Sequence, residues 1–122
     1  MKQIFTVNHG TYPFDILVCI SAEHKDIVRW VEKRYKMTDE EKERLWMTGT
    51  GRTLILENGA TILRVDKTKN KSDFHATLAH EIFHCVEFVF DRMGIKHDMK
   101  ISGEVFAYQI GYITKQIYDK LK

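Results

Sequence analysis

Asn58-Gly59 stands between two apolar runs, Arg52 to Glu57 and Ala60 to Val65, and it is the strongest local constraint in the chain. The dipeptide tolerates positive φ at both central positions of a type I′ turn, so the runs are expected to fold back on each other as an antiparallel hairpin. A two-residue turn would set Leu54 opposite Leu63 and Leu56 opposite Thr61 on one face, with Ile55 opposite Ile62 on the other. The first of these is the expected core face. After the polar loop Asp66 to Lys71, Ser72 or Asp73 can cap a long helix ending near Met93, and Gly94 follows where a left-handed C-cap favours glycine. Ser102 then caps a last helix that runs to the C-terminus. A hairpin is marginal alone, and a helix must bury its apolar stripe. The pattern therefore predicts an α+β fold: a small mixed or antiparallel sheet packed on the long helix and on the C-terminal helix that follows it.

The first third of the chain is mixed. Phe14 to Ile20 is rich in branched and aromatic residues and reads as a strand, paired with Gln3 to Val7 through the turn signals Asn8, Gly10 and Pro13. Ser21 is placed to cap a helix in which Ile27, Val31 and Tyr35 recur at helical spacing. Thr38-Asp39-Glu40-Glu41 is a capping box and starts a second short helix. With 122 residues, 43% hydrophobic and 30% charged, residues 1–122 are expected to form one domain around one core. No apolar run has the length of a membrane span and no signal peptide is visible, so a cytoplasmic protein with no membrane partner is expected. The net charge is +2 and the basic residues are scattered, which argues against a nucleic-acid partner. Cys19 and Cys85 lie in apolar surroundings and read as small buried hydrophobes rather than a disulfide. Nothing in the sequence speaks to oligomeric state.

His80-Glu81-Ile82-Phe83-His84 is an H-E-x-x-H pattern in the middle of the long predicted helix. Residues four apart project from one helix face, so two imidazoles at this spacing can hold one Zn²⁺ from the same side. Glu81 lies beside His80 around the helix, placed to take a proton from metal-bound water without joining the coordination sphere. A hydrolytic zinc site usually has three protein ligands and one open position. Glu104, 20 residues after His84 and near the start of the next helix, is the expected third ligand. Ala107 and Gly111 share its stripe and are small enough to let the two helices approach closely. Tyr108, one turn after Glu104, is a candidate catalytic hydrogen-bond donor to the developing oxyanion, with Tyr112 and His97 as alternatives.

These residues resemble the gluzincin branch of the zincin metallopeptidases, in which H-E-x-x-H on one helix is completed by a glutamate on the following helix. The resemblance covers Thr53 to Lys122. In its small size and in the segment Glu104-Val105-Phe106-Ala107-Tyr108 the chain is also similar to minimal metallopeptidase-like proteins encoded by phages and prophages. The resemblance implies a minimal zincin fold, His80, His84 and Glu104 as zinc ligands, Glu81 as general base, a peptide or protein substrate, and a hairpin edge strand along which an extended peptide pairs. Large thermolysin-like gluzincins have an aspartate four residues after the glutamate ligand, where this chain has Tyr108, and a second helical domain for which this chain has no residues.

A reading from another class is a non-enzymatic phage-type binding protein whose zinc is structural, since metal binding in a small domain becomes folding energy. Asp91, His97 and Asp98 are the substitute ligands should Glu104 have the ordinary role of a first-turn carboxylate. His75, five positions before His80, points away from the ligand face.

Overall fold

The computed structural model describes residues 2–10 and 12–122. Among the described residues four strands and four helices follow in the order β1 (Gln3–His9), β2 (Tyr12–Ile20), α1 (His24–Glu32), α2 (Asp39–Arg44), β3 (Gly51–Ile55), β4 (Thr61–Val65), α3 (Lys71–Arg92) and α4 (Gly103–Lys120). The sheet order is β1-β2-β4-β3. β1 runs antiparallel to β2, β2 parallel to β4, and β3 antiparallel to β4, so the sheet is mixed and the fold is α+β as the sequence predicts. Among the described residues no helix is long and apolar enough to cross a membrane.

The sheet is covered on both faces. Ile16, Val18, Ile20, Leu63 and Val65 pack with Leu78, Ile82, Cys85 and Val89 of α3 and with Phe106, Ile113 and Ile117 of α4. Leu17, Cys19, Leu54, Leu56 and Ile62 form the other face, under Ile27 and Val31 of α1 and Leu45 at the end of α2. β2 therefore carries a continuous apolar run from Ile16 to Ile20 rather than alternation, and every residue of β4 is buried. Arg64, also buried, donates from its guanidinium to the carbonyls of Leu45 (3.1 Å) and Ala22 (2.9 Å), tying the approach to α1 and the end of α2 to β4. Cys19 and Cys85 are free and buried, and burial pushes the Cys19 thiol up to about 12.

Several local expectations need correction. The hairpin register is shifted by one: Leu54 faces Ile62, Thr53 faces Leu63, and Ile55 faces Thr61. Gly59 has φ +95° and donates to the Leu56 carbonyl (2.9 Å), while Leu56 donates to that of Ala60 (2.8 Å). This is a three-residue loop closed by a glycine in the left-handed region, not a type I′ turn, in which Asn58 would also need positive φ. Ser21 does not cap α1. It turns the chain out of β2 with φ 53° and accepts from the Lys67 N–H (2.9 Å), leaving Glu23 at the cap position without a side-chain bond. α3 is capped by Asn70, whose Oδ1 accepts from the N–H groups of Ser72 and Asp73. Ser102 occupies the cap position of α4, but its hydroxyl serves the preceding loop, accepting from the Asp98 N–H (2.8 Å).

Candidate metal and catalytic site

α3 runs 22 residues beneath β3 and β4 with Leu78, Ile82, Cys85 and Val89 in the core, so the opposite side of the helix faces outward. His80 and His84 stand on that outer side, with Nε2 atoms 3.1 Å apart. Two zinc–nitrogen bonds of about 2.0–2.1 Å at a tetrahedral angle separate their nitrogens by about 3.3 Å, so the pair fits one ion. Glu87 fixes the second ring. Its Oε1 lies 2.8 Å from His84 Nδ1, and the proton on Nδ1 leaves the Nε2 lone pair facing His80. Sequence reading missed Glu87, although its spacing of three from His84 was the signal available.

Glu81 is turned toward the sheet and is 6% exposed. Its Oε1 accepts from the Thr53 hydroxyl at 2.6 Å. Its Oε2 lies where a side chain on residue 51 would be: a Cβ on Gly51 would meet it at 2.8 Å and the Thr77 methyl at 2.6 Å. Thr53 and Gly51 thus hold the carboxylate in one orientation, by a bond from one and an absence of bulk in the other. Both belong to β3, an edge strand of the sheet. Between the strand and α3 an open cleft of about 360 Å³ is lined by Thr50, Gly51, Ala76, Thr77, His80 and Glu81. Thr53→Val is expected to leave Glu81 Oε1 buried and unpaired and to lower stability by roughly 1–3 kcal/mol in urea unfolding, with Thr53→Ser recovering most of it. Equal stability of the valine and serine variants would remove Thr53 from this role.

The residues expected from α4 and its loop stand elsewhere. Glu104 is exposed on the first turn of α4, and Tyr108 is 76% exposed. The Tyr112 hydroxyl donates to Asn8 Oδ1 (3.1 Å), and the His97 ring lies against Phe106 with centroids 4.5 Å apart. Asp98 accepts from the N–H groups of Lys100 and Ile101 within its own loop, and His75 partners Tyr118. Among the described residues no three of His, Cys, Asp and Glu are gathered closely enough to hold one ion. Ala107 and Gly111 do not mediate the helix contact: both are exposed, and a Cβ on Gly111 would meet nothing within 4 Å. The helices meet instead through Phe106, set edge-on to Phe90 with centroids 4.4 Å apart.

No protein-family model, curated protein or solved structure matches the chain.

Proposed function

We propose that this chain is a cytoplasmic zinc-dependent metallopeptidase acting on peptide or protein substrates. The observation that carries the reading is the pair of imidazole Nε2 atoms 3.1 Å apart on one helix face, with the carboxylate of the intervening Glu81 held against an edge strand. When bound, zinc supplies a water of lowered pKa and polarises the scissile carbonyl. His80 and His84 hold the ion, and Glu87 keeps His84 in the ligating tautomer. This reading takes Glu104 as third ligand and Tyr108, one turn on, as donor to the carbonyl oxygen, although in this structure both stand exposed on α4 apart from the histidine pair. Glu81 takes the proton of the attacking water, and Thr53 keeps it aimed by occupying only one carboxylate oxygen. β3 offers the free backbone groups of an edge strand to an extended peptide.

The test is zinc content of protein purified without chelator, for wild type, His84→Ala and Glu104→Ala. About one zinc per chain is expected in the wild type, and a sharp fall in both variants. A wild type that takes up no zinc when supplied with it would end the metallopeptidase reading. Full zinc in Glu104→Ala alone would move the third ligand to another residue.

A further inference from the structure

A cleft of about 500 Å³ begins one turn beyond His84 and reaches the loop between α3 and α4. Phe88, Ile95 and Phe106 give it an apolar lining, and Phe106 is buried. Glu87 and Asp91 line it from α3, four residues apart and so on one side of the helix. Like charges at this spacing repel. Among the described residues neither carboxylate lies within ion-pair distance of a lysine or arginine, Glu87 having only His84 as partner. Lys96 lines the same cleft without pairing with either. The cleft therefore combines a volume within the range of ligand pockets, an apolar lining and an excess of one negative charge.

We infer that this cleft receives a lysine or arginine side chain of the peptide substrate. The aliphatic stem of such a side chain lies along Phe88, Ile95 and Phe106, and its cationic head meets Asp91 beside Glu87. An apolar side chain would gain the lining but leave the two carboxylates unrelieved, and an acidic one would add a third negative charge. Glu87 also partners His84, so the occupied cleft adjoins the ligand histidines and lies next to the bond to be cut. This assignment rests on the peptide reading of the neighbouring site.

The test uses fluorescence anisotropy of labelled peptides that differ at one central residue, lysine against norleucine, on zinc-supplied Glu81→Gln protein, which binds without hydrolysing. The lysine peptide is expected to bind at least tenfold more tightly, with the ratio falling to about threefold or less in Glu81→Gln combined with Asp91→Asn, and narrowing as salt is raised. Asp91 is exposed, so its replacement does not disturb the core. Equal binding of the two peptides, no binding of either, or a ratio unchanged by Asp91→Asn would overturn the inference. Cleavage of both peptides by wild-type protein is followed in parallel. Cleavage without lysine preference would remove the cleft and leave the hydrolase, whereas lysine-selective binding with no cleavage would remove the hydrolase and leave the cleft.

Discussion

Glu81→Gln is expected to keep a full equivalent of zinc and to lose peptide hydrolysis by a factor of roughly 10² to 10⁴, the usual contribution of a positioned general base. The amide is isosteric with the carboxylate and retains an oxygen to accept from the Thr53 hydroxyl, so the 2.6 Å contact and the packing against Gly51 survive the change. His80 and His84 keep their spacing because neither depends on Glu81 for its orientation; His84 is set by Glu87. What the amide cannot do is accept the proton of the attacking water. Metal content and cleavage rate of an unfolded protein substrate, measured on one preparation, give the answer. Full zinc with an unchanged rate would remove Glu81 as base. Full zinc in a wild type that cleaves nothing would favour the reading in which the ion is structural.

What the sequence made legible follows from how local each signal is. The capping box at Thr38 is present with both of its bonds, Glu41 N–H to Thr38 Oγ1 and Thr38 N–H to Glu41 Oε1, because everything it needs lies within four residues. Gly94 ends α3 with φ +74° for the same reason. The H-E-x-x-H spacing likewise brings two imidazoles together through helix geometry alone. The hairpin register was harder, because Asn-Gly fits either a two-residue or a three-residue loop and the choice is made by burial of β4 on both faces, where a single core face was expected. Glu41 shows the limit of a local rule: its other oxygen accepts from the Glu57 N–H (2.9 Å), a contact no capping pattern announces. Thr53 and Gly51 were illegible as partners of Glu81 because they come from another element 28 and 30 residues away, and nothing in a Gly-Arg-Thr strand marks it as the back wall of a site. On α4, any of several stripes satisfies helical periodicity, and the small-residue stripe lost to the one carrying Phe106, Ile113 and Ile117 because bulk apolar surface gains more from burial.

The second large effect is expected from His9, which the mechanism does not use. The side chain is 1% exposed at the end of β1, where Gln109 of α4 donates to the His9 carbonyl at 2.9 Å and also faces His9 Nδ1 at 3.3 Å. With an amide donor against Nδ1, that nitrogen is an acceptor and the ring is neutral, its Nε2 buried without a partner among the described residues. Protonation would set donor against donor and bury a charge, which only the nearby Asp15 carboxylate opposes, so burial pushes the His9 pKa down from 6.5 to about 4. Between those two values the unfolded chain takes up a proton that the folded one refuses. Stability attributable to His9 is therefore level above about pH 6.5, falls as the pH drops toward about 4, and is level again below it, for a loss of about 3 kcal/mol. Urea unfolding at about pH 7.5 and about pH 4 is expected to show the wild type losing about 3 kcal/mol more than His9→Gln, whose amide does not titrate. Only the difference between the two pH values is read, so a constant packing cost in the variant does not enter. Equal losses in the two proteins would mean that His9 is protonated in the folded state without penalty, and that acid acts on this fold through its carboxylates.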